Sequence, residues 1–233
     1  MRIWPAAGIL VVASCGRFDF GSHPLDGGAI DGNADASDGA VSSLIHQYSL
    51  AGSLLDDLGG PALTGLGGSF ISAGYQFGIN QGLRLTAATP PVVYSIEITF
   101  NFNNVTGYNK LIDFKAQSSD AGLYVFDSQL PFVVIPITGC PGNDCYTSPV
   151  LFAPGTQTTV TVTRDAAGTV VAYVGTTPQF TFTDGGAVGE FDAPGNVVNF
   201  CLDDTVTTTE ASAGTVRRIR IYDAALTAAQ VGH

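Results

Sequence analysis

The chain has 233 residues and a formal net charge of −11, and only 12% of its residues are charged. A chain of this length can bury one sizeable hydrophobic core. The acidic excess leaves no basic stripe that could neutralise phosphates, which argues against nucleic acid as a partner. The one basic cluster is Arg217, Arg218 and Arg220. Strand alternation puts its members partly on opposite faces, which predicts a solvated strand face, and the alternative is a patch for an anionic ligand.

The first residues of the chain predict export. Residues 1–14 combine a positive charge at Arg2, a short apolar run and small residues before a cleavage point. The apolar run is too short to span a bilayer as a helix. The sequence Val12-Ala13-Ser14-Cys15 resembles the bacterial lipobox. That resemblance implies acylation of Cys15 and a membrane-anchored lipoprotein at the cell surface or in the periplasm. The alternative is an ordinary secretory signal with an incidental cysteine.

Residues 15–42 predict a flexible acidic linker. Aspartates recur among glycine, alanine and serine with hardly any apolar periodicity, so the segment cannot bury enough surface to offset its ordering entropy. Asp31 and Asp35 match the opening spacing of an EF-hand calcium loop. However, Ala36 stands where the loop needs glycine and Ser42 where it needs a bidentate glutamate. The linker is therefore the favoured interpretation.

Residues 43–233 predict one all-β domain. The clearest strand is 92–102, in which apolar side chains alternate with polar ones such as Glu97, so one face is expected in the core and the other in water. Segments 159–164 and 169–174 alternate likewise around a four-residue connection that ends in glycine, as a hairpin turn does. Strands at this spacing predict a two-sheet antiparallel sandwich or jelly roll.

The C-terminal segment predicts a final strand followed by one helical turn. Ile219 and Ile221 alternate with arginines, which is the period of a half-buried strand. Thr227 and Gln230 have the spacing of a capping box, so the helical turn is expected to begin at Thr227.

The segment from Val216 to Val231 resembles the closing element of laminin G-like (LamG) domains in the concanavalin A-like lectin/glucanase superfamily. The resemblance extends back to about Tyr48, where a strand and an Asp-rich turn resemble the start of the LamG domain. Segments 111–114 and 119–125 are similar to a bacterial LamG subgroup. The resemblance implies a concanavalin A-like jelly roll whose rim loops bind carbohydrates or proteins, sometimes through calcium.

Catalysis is not predicted. Retaining glycosidases need two carboxylates about 5–5.5 Å apart, whereas Glu97, Glu190 and Glu210 are widely separated and no Glu-x-Asp-x-Glu-like run exists. Glu97 is interpreted as an outward polar residue of its strand. The three histidines lie in the linker, before the first strand (His46) and at the last position, so neither a serine-histidine-aspartate triad nor a zinc site is expected.

Carboxylates in two loops predict a calcium site. Asp203 and Asp204 directly follow the apolar strand 197–202, and Asp120 lies in a comparable loop. Calcium takes six to eight oxygen ligands, which such loops can supply from carboxylates and backbone carbonyls. The alternative is that Asp203 and Asp204 accept hydrogen bonds from turn amides or face water.

Aromatic rings near polar side chains are the expected features of a glycan-binding surface. Tyr108 with its neighbour Asn109, and Tyr146, are the predicted ligand-binding residues, and Tyr75 is a third tyrosine in loop-like surroundings. The alternative is that these tyrosines are half-buried packing at the rim of the sandwich.

Export makes a disulfide bond possible, because disulfides persist outside the cytoplasm. Cys140 and Cys145 flank a Pro-Gly turn and can close a local bridge, which would leave Cys201 as a buried free thiol. The alternative joins Cys201 to Cys140 or Cys145. The spacing does not favour zinc, because no second pair of ligands is present.

The sequence thus predicts a surface-anchored binding module that recognises an extracellular glycan or protein through rim loops, with calcium as a candidate cofactor. The competing class is a non-binding structural or assembly component of the cell envelope. A glycoside-active enzyme is the third and disfavoured class.

Overall fold

The computed structural model describes residues 44–134, 149, 151–192, 195–205 and 208–232. Among these residues, no helix has the length and apolar character needed to cross a membrane. Several sequence-based predictions fall outside the described residues: the signal 1–14, Cys15, the linker 15–42, Cys140, Cys145 and Tyr146.

All regular elements of the described residues are β-strands. In chain order they are β1 (Leu44–Tyr48), β2 (Thr64–Leu66), β3 (Ser69–Ile71), β4 (Gly74–Phe77), β5 (Gly82–Leu85), β6 (Tyr94–Phe102), β7 (Tyr108–Asp113), β8 (Gly122–Phe126), β9 (Phe132–Val133), β10 (Thr158–Arg164), β11 (Thr169–Val174), β12 (Thr177–Thr183), β13 (Val198–Phe200) and β14 (Gly214–Tyr222).

The strands form two antiparallel sheets. The eight-stranded sheet has the order β12-β11-β10-β6-β14-β4-β3, and β1 also pairs with β14. The six-stranded sheet has the order β2-β5-β13-β7-β8-β9. The chain passes from one sheet to the other eight times, at β1–β2, β2–β3, β4–β5, β5–β6, β6–β7, β9–β10, β12–β13 and β13–β14. The predicted all-β, two-sheet jelly-roll sandwich is confirmed.

The hydrophobic core lies between the two sheets. The apolar face of β6 carries Ile96, Ile98 and Phe100, all of which are buried, and on the six-stranded sheet Leu123 and Phe200 join the same cluster. Full burial of each such side chain stabilises the fold by about 1.5–3 kcal/mol. The predicted hairpin is also confirmed, because β10 pairs with β11 across the Gly168 turn.

The other face of β6 is not in water, contrary to the prediction from alternation. Glu97 points outward but is only 1% exposed, because side chains of the neighbouring β14 cover it. The Arg218 Nη2 atom lies 2.9 Å from Glu97 Oε1, and Arg220 Nη1 lies 3.7 Å from the same oxygen. The alternation of the strand therefore predicted correctly that the Glu97 side chain points outward. It predicted wrongly that this side chain is exposed to solvent.

The C-terminal segment covers another part of this outer face. Leu226 and Val231 pack against Tyr173 and Tyr222 of the eight-stranded sheet. Ser95 on β6 donates to the Ala224 carbonyl at 2.7 Å and accepts the Leu226 amide at 2.8 Å.

The capping contact at the end of the chain forms without the expected helical turn. The backbone amide and the hydroxyl of Thr227 both donate to Gln230 Oε1 at 2.9 Å. Residues 228–232 form turns rather than a helix.

His46 lies in β1 and not before the first strand, so the prediction for this histidine was wrong. Its Nδ1 atom lies 2.6 Å from Asp56 Oδ2, and its Nε2 atom lies 3.1 Å from the Ala88 carbonyl oxygen. Burial opposes ionisation of Asp56, but hydrogen bonds from the Gln47 and Leu58 amides and the contact with His46 lower its pKa. Both ring nitrogens are engaged, so His46 holds the turn after β1 in place.

Candidate functional site

A hydrogen-bonded network crosses the outer face of the six-stranded sheet. Arg84 on β5, Asn199 on β13 and Asp113 on β7 are cross-strand neighbours. Arg84 Nε donates to Asn199 Oδ1 at 2.7 Å, and Asn199 Nδ2 donates to Asp113 Oδ2 at 2.6 Å. Burial raises the pKa of Asp113, although hydrogen bonds from Asn199 and from the Gln117 and Lys115 amides oppose the rise. The network leaves three polar side chains satisfied on a face that alternation directs away from the core.

Gln117 connects this network to the loop after β13. Its Oε1 atom accepts a hydrogen bond from Arg84 Nη2, and its Nε2 atom donates to the Asp203 carbonyl, both at 2.5 Å. The backbone carbonyl of Gln117 accepts the Thr205 amide at 3.1 Å. The loops after β7 and β13, which carry the predicted metal ligands, are therefore held side by side.

Lys110 is a fully buried cation between these two loops. A β-bulge separates Lys110 from Ile112 in β7. The Lys110 Nζ atom lies 2.5 Å from Asp204 Oδ2, and neither side chain is exposed at all. It also donates to the Ser119 carbonyl at 3.1 Å and lies 4.8 Å from the centre of the Tyr124 ring. Removal of either partner of such a pair destabilises the folded protein, because the other charge would stay buried without a partner.

Asp120, Asp204 and Glu210 converge beside Lys110, and we call these three residues the carboxylate cluster. One oxygen atom of each lies within 4.8 Å of the others. Two oxygens bound to one calcium ion at 2.3–2.6 Å can be at most about 4.6–5.2 Å apart, so the spacing suits a shared cation. Burial raises the pKa of Glu210 to about 7, with the charges of Asp120 and Asp203 adding to the effect. Lys110 and a hydrogen bond with Tyr124 oppose it.

The structure places the three predicted metal ligands in different roles. Asp120 and Asp204 belong to the carboxylate cluster. The Asp203 carboxylate instead accepts the backbone amides of Asp204 at 2.9 Å and Glu210 at 2.8 Å, so it orients both residues from behind. Sequence reasoning considered Glu210 only as a catalytic residue and did not single out Lys110. Asn109 and Asp113 are polar residues of the same strand, so the sequence contains no signal that distinguishes Lys110 from an exposed lysine.

Aromatic rings lie next to the carboxylate cluster on the same sheet. Tyr108 is partly exposed at the start of β7 and stacks on Phe126 of β8, with ring centres 4.1 Å apart. Its ring also meets the edge of Tyr124, with centres 5.5 Å apart. The three rings therefore form a contiguous aromatic cluster that extends from the surface to Lys110 and its partner Asp204.

The remaining predicted ligand contacts are placed differently. Asn109 is buried, and its amide donates to the Thr106 carbonyl at 3.2 Å and the Gly107 carbonyl at 3.0 Å, so it holds a turn instead of facing solvent. Tyr75 is buried in β4 of the other sheet, contrary to its expected loop position.

Cys201 is a buried free thiol, and burial raises its pKa. Cys140 and Cys145 lie outside the described residues, so the Cys140–Cys145 disulfide stays a prediction.

Comparison with solved structures identifies several domains of the same fold. Domain 4 of AbnA, a GH43 extracellular arabinanase from Geobacillus stearothermophilus in complex with arabinotriose, is 20% identical with a TM-score of 0.58, and the match covers 82% of this chain and 97% of that one. A Trypanosoma rangeli sialidase is 15% identical with a TM-score of 0.63, covering 81% of this chain and 32% of that one. The binding domain of botulinum neurotoxin serotype D is 11% identical with a TM-score of 0.59, covering 82% and 50%.

These likenesses, at low identity, demonstrate a shared fold. This chain spans about a third of the sialidase and half of the toxin domain. A search of curated proteins by sequence found no significant match. A family model described as Laminin_G_3, concanavalin A-like lectin/glucanases superfamily, matches residues 77–232, which is more than half of the chain. The chain therefore belongs to the concanavalin A-like lectin/glucanase superfamily.

Proposed function

We propose that this protein is a glycan-binding module whose binding surface is the outer face of the six-stranded sheet, at Tyr108, Phe126 and the carboxylate cluster. The observation that carries the proposal is the partly exposed Tyr108–Phe126 stack, which continues through Tyr124 to Lys110 and Asp204. Aromatic rings offer apolar faces of the size of a sugar ring, and nearby carboxylates accept hydrogen bonds from sugar hydroxyls.

The structural likenesses support a saccharide as the ligand. Domain 4 of AbnA is matched over 97% of its length and was solved with arabinotriose. An arabino-oligosaccharide is therefore the first probe, although the fold alone does not specify the sugar.

Calcium is proposed as an auxiliary ligand of the same surface. Support comes from the three carboxylate oxygens that lie within 4.8 Å of one another. The Lys110 ammonium competes for this position, because it already neutralises Asp204 at 2.5 Å. A bound calcium ion would draw on Asp120 and Glu210 first, and it would fix the two loops that flank the aromatic stack.

The test is isothermal titration of the full chain with arabinotriose and a panel of neutral oligosaccharides, in calcium and in chelator. We expect one of these sugars to bind and the substitution Tyr108→Ala to abolish binding. The matched control is Phe70→Ala, which removes an exposed ring from β3 of the other sheet. Calcium is expected to tighten sugar binding and to raise the thermal midpoint, as any ligand specific to the folded state does.

Absence of saccharide binding in both conditions would contradict the proposal and favour the non-binding structural component. Equal losses in Tyr108→Ala and Phe70→Ala would contradict the location. An unchanged thermal midpoint in calcium would contradict the calcium proposal and leave the glycan-binding proposal standing.

A glycoside-acting enzyme is a second candidate, because one observation favours it. Glu210 has a pKa of about 7, which suits a general acid, and its carboxylate lies close to that of Asp120. The third carboxylate of the cluster, Asp204, is fully buried in an ion pair, so only Glu210 and Asp120 could act on a substrate. The absence of catalysis therefore stays a prediction. Product analysis after incubation with the same oligosaccharides tests it, and hydrolysis lost in Glu210→Gln would contradict it.

We further propose that the module is exported and anchored to a membrane by acylation of Cys15. The support is the sequence alone, Val12-Ala13-Ser14-Cys15 after a short apolar run. Expression in a bacterial host should place the chain in the membrane fraction, and Cys15→Ser should release it. Equal partitioning of the two proteins would contradict the anchor.

A further inference from the structure

A groove of about 420 Å³ opens on the outer face of the eight-stranded sheet, at the end away from the C-terminal segment. Its walls come from residues 49–51 after β1, residues 72–74 around the β3–β4 turn, and side chains of β6, β10 and β14. Arg217 and Arg218 line it, and we call it the arginine groove. It lies on the opposite sheet from the carboxylate cluster.

A β-bulge brings both arginines to the groove. In the pairing of β14 with β6, Val216 is opposite Phe100 and Arg218 is opposite Thr99, so Arg217 is the additional residue. Bulges redirect side chains from regular alternation. The sequence-based expectation that Arg217 and Arg218 lie on opposite faces is therefore wrong, because both line the same groove.

The backbone on the other side of β14 is shaped to accept this bulge. Gly74 of β4 has a φ of +132°, and a Cβ atom on it would lie 2.3 Å from the Val216 carbonyl oxygen and 3.0 Å from the Arg217 Cα. A side chain at this position would collide with backbone that cannot move aside cheaply. The close approach of Gly74 thus belongs to the same local structure as the arginine pair.

The groove has an excess of hydrogen-bond donors. Arg218 uses Nη2 to bind Glu97, but its Nε atom is buried and has no hydrogen-bond partner among the described residues. Arg217 is exposed, and its hydrogen bond to Gln157 Oε1 is long, at 3.4 Å. Thr99 and Thr159 add hydroxyl groups, which lie 2.9 Å apart.

Among the described residues, none that lines the groove is acidic, although the whole chain has 20 aspartates and glutamates against 9 lysines and arginines. The nearest carboxylate beneath the arginines, Glu97, is 1% exposed and paired with Arg218 and Arg220. Arg217 therefore presents its charge to the groove without a carboxylate on the lining to neutralise it.

We propose that the arginine groove binds a carboxylate-bearing saccharide, such as a uronate unit. A planar guanidinium matches a carboxylate with two parallel hydrogen bonds. The threonine hydroxyls and the Gln157 amide suit the hydroxyl groups of a sugar ring. The volume lies within the range of small-molecule sites. This site is separate from the glycan surface of the six-stranded sheet and does not depend on it.

The test is isothermal titration of the full chain with trigalacturonate, with neutral galactotriose and with sulfate. We expect trigalacturonate to bind and galactotriose to bind at least roughly tenfold more weakly at this groove, the difference expected for a hydrogen-bonded charge pair. Arg217→Gln should weaken trigalacturonate binding by a similar factor, and Arg217→Lys should restore part of it. The charge-matched control is Lys115→Gln, in the loop after β7.

Each of the following outcomes would overturn the proposal. One is no binding of trigalacturonate, or equal binding of the neutral trimer. Another is an equal loss of trigalacturonate affinity in Lys115→Gln and Arg217→Gln, which would show that the net charge of the chain, and not the groove, determines binding. The last is binding of sulfate alone, which would indicate an anion site without saccharide recognition.

Tyr108→Ala separates the two proposed surfaces, because it should leave trigalacturonate binding unchanged. Loss in that variant with no loss in Arg217→Gln would place the ligand on the other sheet.

Discussion

The carboxylate cluster on the six-stranded sheet and the arginine groove on the eight-stranded sheet carry opposite charges and are held by different forces. In the cluster, the fully buried Lys110 ammonium holds Asp204, and backbone amides hold Asp203 behind it. In the groove, the backbone itself sets the side chains, through the bulge at Arg217 and the close approach of Gly74.

This difference shows why the net charge of the chain does not describe its surfaces. The formal charge of −11 indicates an acidic protein, yet in the part of the chain that the structure describes, two arginines and no acidic residue line the arginine groove. In the cluster, burial raises the pKa of Glu210, and the charges of Asp120 and Asp203 add to the rise. In the groove, Arg218 is 38% exposed and paired with Glu97, and the exposed Arg217 presents its charge to a ligand.

The largest expected effect is at the ion pair of the carboxylate cluster. Lys110→Met removes a buried cation and leaves Asp204 uncompensated, so we expect a loss of about 3–5 kcal/mol in the free energy of unfolding. Lys115→Met is the control, because Lys115 pairs with the 63% exposed Asp192 and otherwise donates only to the neutral Ala187 and Glu190 carbonyls, so it should lose only about 1–2 kcal/mol. Denaturant unfolding measures both. Similar losses of unfolding free energy in the two variants would show that the buried Lys110–Asp204 ion pair does not stabilise the cluster.

A smaller effect is expected at the backbone that supports the arginine groove. Gly74→Ala places a methyl group against the Val216 carbonyl at a positive φ, so we expect a loss of about 2 kcal/mol. Gly107→Ala is the control, because Gly107 also has a positive φ but has no atom within 4 Å of the added Cβ, and it should lose about 1 kcal/mol. Thermal or denaturant unfolding compares them. A loss in Gly74→Ala no larger than in Gly107→Ala would contradict the tight packing of the bulge.

The smallest effect is a pH dependence that only the carboxylate cluster should show. Burial raises the pKa of Glu210 from 4.5 to about 7, so between these values the folded state holds a proton that the unfolded state releases. The stabilisation is complete below pH 4.5 and is lost as the pH rises through 7. Denaturant midpoints measured in chelator from pH 5 to 8 should fall less steeply in Glu210→Gln than in the parent.

Two features of this experiment keep it specific to the cluster. Burial also raises the pKa values of Asp113 and Asp203, but both proteins share those groups, so the difference between them isolates Glu210. Arg217→Gln should leave the profile unchanged, because the groove has no acidic lining residue. Parallel profiles for Glu210→Gln and the parent would show that Glu210 does not titrate near neutral pH.

Much of the fold could be predicted from sequence, because strand alternation reports directly which side chains face the core. The apolar face of β6 and the β10–β11 hairpin follow from that period and from the turn that ends at Gly168. The exposure of the opposite face could not be predicted the same way. Glu97 is covered by arginines that are distant in sequence, and alternation contains no information about what lies above a strand.

The candidate site was predictable only in part. Asp204 was identified because it comes just after an apolar strand, and Asp120 because it lies in a comparable loop, and the structure brings the two together. Glu210 joins them because loops from different strands meet at one edge of the sheet. Asn109 looked like a ligand contact because it neighbours Tyr108, but its amide is used to hold the preceding turn.

The sequence by itself determined the class of fold and the identity of the core side chains, since both depend on local periodicity and on the burial of apolar surface. Only the tertiary structure decided how the charges are arranged. It paired Lys110 with Asp204, which are 94 positions apart in sequence, and it inserted the bulge that turns Arg217 into the same groove as Arg218. Electrostatic and ligand-binding properties depend on distances between side chains, and those distances exist only after the two sheets have formed and packed.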